Sequence, residues 1–413
     1  MFEVPHKASR RPWLLIGIAS VALVSGGAIS FAKLTASKPA SSVEKAGFTV
    51  AERPELRVVE DLPQLADRLD RMASQRQFMG GVLVAKGDEV LFRQMYGMAN
   101  YEQRIPFELD TRFRLASVSK QFTGVAILKL QDEGKLSVDD PICKWIDDCP
   151  ERWADVKIRH VLTHTSGIPD LMAQAQWGLV RTTPHTPEEL MLKAKRYGLQ
   201  FQPGTKVRYN NVGFNIGAYI VTRASGQSYE DYLRTALFEP LGMTHTGSDV
   251  YANTTDLAMG YGLFPQGLTP QPNANVSIIP GAGALYSTVD DMLVWNRALH
   301  GGHILSGEAY AEYIKDHSPA DTPRERGRPH RAYGFGIFVN SLGERVNAPF
   351  SELQIYHTGS WSGFRNLVTY EPTQKVTVVV LSNNYHLRDQ VFLISQQGMA
   401  EALGHEFPTA MKR

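Results

Sequence analysis

A serine and a lysine three residues apart, in Ser117-Val118-Ser119-Lys120, form the pair in this chain best suited to chemistry. Residues with that spacing lie on one face of a helix. The apolar sequence that follows, up to Gly134, predicts a buried helix whose N-terminal N–H groups can stabilise an oxyanion near Ser117. A lysine driven to its neutral form by burial can take the serine proton. The pair therefore predicts acyl transfer.

The Ser-x-x-Lys pattern is weak by itself, because it also occurs at residues 30–33 and 42–45. A second polar pair, Tyr209 and Asn211, stands in a stretch rich in Gly, Pro and Asn that predicts a loop before a helix over residues 216–224. A nearby ammonium would lower the pKa of the Tyr209 phenol, which would then relay the serine proton. Tyr-x-Asn also occurs at 251–253, and most tyrosines in such positions only pack.

A third group, His357-Thr358-Gly359-Ser360, precedes two strand patterns at residues 367–370 and 376–381. Glycine in a strand allows a substrate backbone to approach closely and to pair as an added strand. The N–H of Ser360 would then be a second oxyanion donor. A single histidine in such a place is more often structural than catalytic.

These three motifs, in this order and on a helix, a loop and a strand, resemble the serine β-lactamase and penicillin-binding family. The branch concerned includes class C β-lactamases, D-alanyl-D-alanine carboxypeptidases, D-aminopeptidases and related esterases. Further stretches that look like this branch are residues 80–84, 162–170, 240–243 and 281–288. The resemblance covers residues 60–405 and is specific to the superfamily rather than to one substrate.

The resemblance implies that Ser117 is acylated, that Lys120 and Tyr209 transfer protons and that Asn211 positions the substrate. From the residues themselves, Asn211 is expected to hold Lys120 and a substrate carbonyl. The resemblance also implies that the N–H groups of Ser117 and Ser360 form the oxyanion hole. No cofactor is implied.

The chain departs from many β-lactamases by carrying His357 where they have lysine. The His-Thr-Gly form looks more like certain carboxypeptidases and D-peptidases of the family, and a neutral imidazole offers a substrate carboxylate less charge than an ammonium. Arg365 is a candidate to supply that charge, with a solvated loop residue as the alternative.

Other reactive-looking residues have simpler interpretations. His164 lies in a stretch that looks like a structural turn beside the site. The Gly-x-Ser-x-Gly motif of α/β-hydrolases is absent from the sequence, as is any His-Glu-x-x-His or clustered Cys/His ligand set, so no metal is implied. A net charge of +1 gives no basic field for nucleic acid.

The N-terminus predicts export. Lys7, Arg10 and Arg11 precede a largely apolar run over residues 13–32, which is long enough for a signal peptide or one membrane span. Cleavage and retention both stay open, so the protein is expected in the periplasm or another extracytoplasmic space, anchored to the membrane if uncleaved. The predicted segments are a signal peptide or anchor (1–34), a tether (35–58), the catalytic domain (59–405) and a tail (406–413).

Cys143 and Cys149 are the two cysteines of the chain. In an oxidising compartment they can close a small disulfide loop. Two reduced, partly buried thiols are the alternative.

The expected fold is α/β (α+β). An antiparallel sheet of N- and C-terminal strands is flanked by helices, beside a mainly helical lobe. Residues 254–280 and 318–331 lack periodicity and are expected to rim the cleft. The expected function is a D-Ala-D-Ala carboxypeptidase-like or D-peptidase-like serine hydrolase on small molecules or peptidoglycan-type peptides. An esterase or class C-like β-lactamase is the alternative, and a tethered scaffold without catalysis is an alternative of another class.

Overall fold

The computed structural model describes residues 57–59, 61–251, 254–264, 267–271, 275–319 and 332–412. The predicted signal peptide or anchor, most of the predicted tether and residues 320–331 of the expected cleft rim lie outside these ranges. In the part of the chain that is described, no helix combines the length and the apolar character needed to cross a membrane.

The helices are α1 (Pro63–Ser74), α2 (Lys120–Asp132), α3 (Ile158–Leu162), α4 (Trp177–Val180), α5 (Pro187–Ala194), α6 (Asn211–Ser225), α7 (Tyr229–Leu233), α8 (Pro280–Gly283), α9 (Val289–His300), α10 (Gly307–Ile314) and α11 (Arg388–Leu403). The strands are β1 (Arg57–Val58), β2 (Gly80–Lys86), β3 (Glu89–Tyr96), β4 (Met98–Asn100), β5 (Ile105–Pro106), β6 (Phe113–Arg114), β7 (Gly247–Ser248), β8 (Tyr261–Phe264), β9 (Gly267–Pro270), β10 (Leu285–Ser287), β11 (Ala332–Tyr333), β12 (Phe338–Asn340), β13 (Gln354–Trp361), β14 (Phe364–Glu371) and β15 (Val376–Ser382).

The main sheet joins strands from both ends of the described chain, in the order β1-β3-β2-β15-β14-β13-β12-β11. Its neighbours pair antiparallel, apart from the short parallel pair of β1 and β3. This confirms the predicted sheet, and the helices between β3 and β11 form the predicted helical lobe. The predicted hairpin is β2–β3, and the predicted amphipathic and last helices are α1 and α11.

The sheet is buried on both faces, which explains why β15 reads as an unbroken apolar run. Val376, Val378 and Val380 pack with α1 and α11 in one hydrophobic cluster. Val379 and Leu381 point to the other face, into the larger cluster shared with the helical lobe. The alternation of side chains along a strand thus divides one sequence between two cores.

Helix α6 begins at Asn211, five residues before the predicted start, so the expectation that Asn211 lies on an extended loop is wrong. Asn210 caps the helix, with its side chain accepting the N–H of Gly213 at 3.1 Å. The glycines that suggested a loop instead allow close packing. A Cβ at Gly213 would lie 2.4 Å from the carbonyl oxygen of Val161, and one at Gly217 would lie 3.0 Å from Thr123.

Short strands were missed in the middle of the chain. Strands β8 and β9 pair antiparallel, although residues 254–280 lack a visible period. Strands β6, β10 and β7 form a separate three-stranded sheet. Elements of two to four residues are too short to show an alternating pattern, so only their tertiary pairing reveals them.

Candidate active site

Ser117 lies in a 3₁₀ turn, Ala116–Ser119, directly ahead of α2. Lys120 opens α2, and its Nζ lies 3.0 Å from Ser117 Oγ. Ala116 has a φ of +52°, a left-handed conformation that is unfavourable for a residue with a Cβ. The surrounding structure must therefore hold this turn in place.

Strands β13 and β14 supply that support. The buried Asn366 of β14 donates from Nδ2 to the carbonyl oxygens of Arg114 at 2.9 Å and Leu115 at 3.1 Å, immediately before the turn. Gly359 of β13 is packed so closely that a Cβ would lie 2.1 Å from the Leu115 oxygen. The motif strand and the serine turn are thus packed backbone against backbone. Asn366 carries no motif signal, and the sequence analysis missed it.

Lys120 is fully buried and has three oxygen neighbours. Its Nζ donates to Asn211 Oδ1 and to the Ala282 carbonyl oxygen, both at 2.9 Å, in addition to its contact with Ser117 Oγ. A neutral amine has two N–H groups and one lone pair, and carbonyl oxygens only accept. When the two N–H groups serve Asn211 and Ala282, the lone pair of neutral Lys120 faces the Ser117 hydroxyl.

The surroundings favour that neutral form. Burial lowers the pKa of Lys120 to about 7, against the opposing effect of the nearby Asp170 carboxylate. The rings of Tyr209 and Phe214 lie with their centroids 5.0 and 5.5 Å from Nζ. A substantial fraction of Lys120 is therefore a free base at neutral pH.

Tyr209 forms the lip of the site. As a residue it is 44% exposed, but its hydroxyl is buried and lies beside the Ser117 side chain. Burial of that hydroxyl raises the pKa of Tyr209 well above 10, and the charge of Asp170 adds to this. The expected lowering of the Tyr209 pKa is therefore wrong, because desolvation penalises a phenolate and Lys120, with its pKa near 7, carries only part of its charge at neutral pH.

His164 packs against the ring of Tyr209. Its ring lies between Tyr209 and Tyr333, with centroids 4.3 and 4.6 Å away, and its Nδ1 accepts the N–H of Asn210 at 3.1 Å. Burial lowers the pKa of His164 well below its usual value, so the imidazole is neutral. These contacts agree with the structural interpretation of His164.

Asn211 connects Lys120 to a carboxylate that the sequence analysis did not identify. Its Nδ2 donates to Asp170 Oδ2 at 3.0 Å, while its Oδ1 accepts from Lys120. Asp170 ends the stretch 162–170 that carries part of the family resemblance. Its role depends on a contact between residues 41 positions apart, which no local pattern reveals.

Strand β13 offers an open edge beside Ser117. Strand β12 pairs with Gln354, Ile355 and Tyr356 of β13 and, within the described residues, goes no further along it. Beyond that point β13 continues through His357, Thr358, Gly359 and Ser360. Its backbone groups there are placed to pair with an extended ligand.

His357 is buried and uncharged. Its Nδ1 lies 2.7 Å from the Thr358 carbonyl oxygen, which can only accept, so Nδ1 carries the proton and Nε2 accepts from the Tyr333 hydroxyl at 3.2 Å. Burial, with the nearby Lys120, lowers the pKa of His357 to about 3. The imidazole therefore brings no positive charge to the strand.

Arg365 lies directly opposite Ser360 in the register of β14 with β13. Facing residues of an antiparallel pair share one side of the sheet, so Arg365 is on the side of Thr358 and Ser360. The side chain of His357 lies on the other side, to which a Cβ at Gly359 would also point. A contact of Arg365 with a substrate carboxylate stays a prediction.

Cys143 and Cys149 are joined by a disulfide in the segment between α2 and α3, with Cα atoms 5.2 Å apart. Among the described residues, no group of three or more His, Cys, Asp or Glu side chains is arranged to hold a metal ion.

Ser117 lies beside a buried lysine and a tyrosine, next to an open strand edge. These features, on this sheet and helical lobe, are those of a serine hydrolase. Residues 64–394 match the sequence model of the Beta-lactamase family, and the chain belongs to that family. The predicted family and fold are thus confirmed.

Relatives agree with this assignment. Penicillin-binding protein 4* of Bacillus subtilis (strain 168) is 28% identical over 330 residues, which are 76% of this chain and 70% of that protein. The octameric penicillin-binding protein homologue from Pyrococcus abyssi has a TM-score of 0.71 at 28% identity, over 84% of this chain and 78% of that one. D-amino acid amidase from Ochrobactrum anthropi SV3 has a TM-score of 0.69 over 83% of this chain and 99% of that one, and at 23% identity it shows the fold alone.

Proposed function

We propose that this protein is an exported serine hydrolase that forms an acyl-enzyme on Ser117 and acts on peptides ending in D-amino acids, as a D-Ala-D-Ala carboxypeptidase does. The observation that supports acyl transfer is the position of Lys120, whose two acceptors leave its lone pair directed at Ser117 Oγ. The substrate class rests on the resemblance to penicillin-binding proteins and on the open edge of β13.

In the proposed reaction, neutral Lys120 takes the Ser117 proton while Oγ bonds to the substrate carbonyl carbon and the carbonyl electron pair moves to oxygen. The N–H groups of Ser117 and Ser360 receive this oxyanion. The oxyanion then collapses, the C–N bond breaks, and the proton reaches the leaving amine from Lys120 through the Tyr209 hydroxyl. Because its pKa is high, Tyr209 keeps a proton throughout and relays protons without becoming a stable phenolate. Water releases the acyl group by the reverse sequence.

A terminal carboxylate on the substrate needs a positive partner, and the neutral His357 does not supply one. We assign that part to Arg365, which faces Ser360 across the strand pair. Replacement Arg365→Gln is expected to raise KM about tenfold for a peptide ending in D-Ala-D-Ala and to leave its C-terminal amide unaffected. Equal effects on the two peptides would remove Arg365 from this role.

An esterase is the second candidate, because a strand without a charged residue at position 357 also suits an uncharged acyl donor. Chromogenic esters and D-Ala-D-Ala peptides compared at equal enzyme concentration distinguish the two. A kcat/KM that favours the ester by orders of magnitude, with no peptide cleavage, would replace the peptidase proposal.

The first test is intact-mass analysis of the purified protein after exposure to a penicillin, with peptide mapping and Ser117→Ala as control. A lasting adduct on Ser117 supports the D-peptidase proposal. Consumption of the drug without an adduct points to β-lactamase turnover. An intact drug and no adduct count against penicillin recognition, and unchanged cellular function of Ser117→Ala would favour a scaffold.

Export is proposed from the N-terminal sequence alone. Mass spectrometry of the mature N-terminus, together with fractionation of the producing cells, distinguishes cleavage from retention as an anchor. Recovery of the intact chain in the cytoplasm would contradict export.

A further inference from the structure

Asp170 contacts the side-chain amide of Asn211, at the end opposite to Lys120. Its Oδ2 accepts from Asn211 Nδ2 at 3.0 Å and lies 3.4 Å from the Asn211 backbone N. Its Oδ1 accepts the backbone N–H of Met172 at 3.2 Å. The carboxylate is thus tied to its own loop on one side and to the start of α6 on the other.

A carboxylate only accepts hydrogen bonds, so it determines which end of the Asn211 amide faces it. The NH₂ group must point to Asp170, and Oδ1 is thereby turned to Lys120. The Asn211 Nδ2 also lies 3.0 Å from Met172 Sδ, but a thioether is only a weak acceptor. Without the carboxylate, the amide can therefore rotate by half a turn and present its NH₂ group to Lys120. Neutral Lys120 would then meet that donor with its lone pair, and the lone pair would no longer face Ser117.

We propose that Asp170 is a positioning residue for catalysis, which fixes the Asn211 amide and through it directs the lone pair of Lys120 at Ser117. This inference rests on the proposed acyl transfer and extends it to a residue outside the three motifs. Asp170 touches neither Ser117 nor Lys120 through any hydrogen bond in the described structure. Its effect is transmitted by Asn211 and by its charge.

The charge of the Asp170 carboxylate gives a second, independent effect that can be measured, a change in the Lys120 pKa. In the described part of the chain, the titratable groups that face Lys120 are Asp170 and His164 from the loop after α3, Tyr209 from the segment before α6, and His357 from β13. Burial keeps the two histidines and the tyrosine neutral. The negative charge of Asp170 therefore acts on Lys120 without compensation, and its removal lowers the Lys120 pKa further.

The test is a double-mutant cycle on the rate of Ser117 acylation by a chromogenic ester. Asp170→Ala is expected to reduce kcat/KM about tenfold to a hundredfold, because misorientation of a catalytic group costs rates of this order. Asp170→Ala combined with Asn211→Ala should be no slower than Asn211→Ala alone. A double variant slowed by the product of the two single effects would show that Asp170 does not act through Asn211.

Asp170→Asn removes the charge at nearly the same shape. Its single amide oxygen can accept from the Met172 N–H or from Asn211 Nδ2 but not from both, so the change in charge is measured by the pH dependence and not by the rate. The acidic limb of the pH–rate profile of this variant should shift to lower pH by several tenths of a unit or more. Asp132→Asn is the matched control, because this carboxylate also holds a loop, through Ser306, at the far end of the same helix as Lys120. It should leave the limb in place. If the acidic limb of the pH–rate profile does not shift in Asp170→Asn, Asp170 has only a structural role.

NMR titration with labelled lysine measures the pKa of Lys120, and thus its dependence on Asp170, without any turnover of substrate. If the wild-type protein acylates no probe but Asp170→Asn still lowers the Lys120 midpoint, the proposed function fails and the link between Asp170 and Lys120 stands. If acylation is normal and neither the midpoint nor the rate responds to Asp170, the proposed function stands and this inference fails. Thermal melting of each variant excludes unfolding as the cause.

Discussion

At the scale of single residues, the chemistry rests on one buried amine. Lys120 is surrounded by acceptors and aromatic rings, and its burial lowers its pKa to about 7. Ser117 is thereby paired with a base that is free near neutral pH. Tyr209, whose pKa is raised, is the neutral proton relay that we propose beside this pair. The two groups have moved in opposite directions from their ordinary values for the same reason, the loss of water around the charged form.

The pH profile of acylation should report Lys120 directly. Because only the neutral amine takes the proton, kcat/KM for an ester should rise with pH and be half-maximal near pH 7. Lys120→Arg should lack this rise and lose about a thousandfold in rate, since a guanidinium does not deprotonate in this range. Stopped-flow measurement between pH 5 and 9 tests this. A wild-type profile flat across that range would contradict the assignment of Lys120 as base.

Lys120 should also reduce stability. Its pKa is about 7 in the folded protein and 10.5 in the reference state, so between these values the unfolded chain binds a proton that the folded one does not. The wild-type free energy of unfolding should therefore rise with pH across that window. Lys120→Met should lack this pH dependence and be more stable at pH 7 by about 1–2 kcal/mol, while inactive. Urea unfolding at pH 7 and pH 9 measures both effects, and a less stable Lys120→Met at pH 7 would oppose the argument.

At the scale of elements, the site depends on close approach of backbones. Strand β13 lies directly on the residues before Ser117, and α6 lies directly on α3, in both cases at glycines. The sequence predicted α2, β14 and β15 from their apolar patterns, and it assigned His357–Ser360 to a strand, which is β13, through the motif. It placed the start of α6 too late, because Gly213 and Gly217 look like loop residues unless the neighbouring helices are known.

Gly359→Ala tests the packing of β13 against the serine turn. A Cβ here would meet the Leu115 oxygen at 2.1 Å, so strand and turn must separate. A displacement near 1 Å is expected to lower the acylation rate about a hundredfold. Gly307→Ala is the control, because nothing lies within 4 Å of its added Cβ and its backbone is helical. Equal acylation rates for the two variants would show that the strand is not closely coupled to Ser117.

At the scale of the whole molecule, one sheet built from both ends of the described chain closes over a helical lobe, and the site lies where they meet. Ser117 comes from the turn before α2 and Lys120 from the first position of α2. Tyr209 comes from the segment before α6 and Asn211 from its first position, and β13 supplies the open edge. Ser117 and Ser360, which are 243 positions apart in sequence, thus belong to one site.

Removal of the disulfide tests how much the fold and the site depend on a local cross-link. Cys143 and Cys149 are six residues apart, so the bond constrains little of the unfolded chain. Replacement of both by serine should cost about 2 kcal/mol or less and leave acylation of Ser117 unchanged. Thermal melting and penicillin labelling of the variant measure both. Loss of labelling with the fold retained would assign the loop a part in the site.

The sequence by itself determined the motif residues, their order and the main elements, because short spacings and long apolar periods are local properties. Asp170, Asn366 and the Ala282 carbonyl escaped it, since each acts through contacts with distant parts of the chain. The direction of the Tyr209 pKa also depended on burial, which only the packed structure sets. The types and spacing of the residues thus determined what chemistry is available. The tertiary structure decided which groups are desolvated and how they are oriented, and therefore which amine is uncharged near neutral pH.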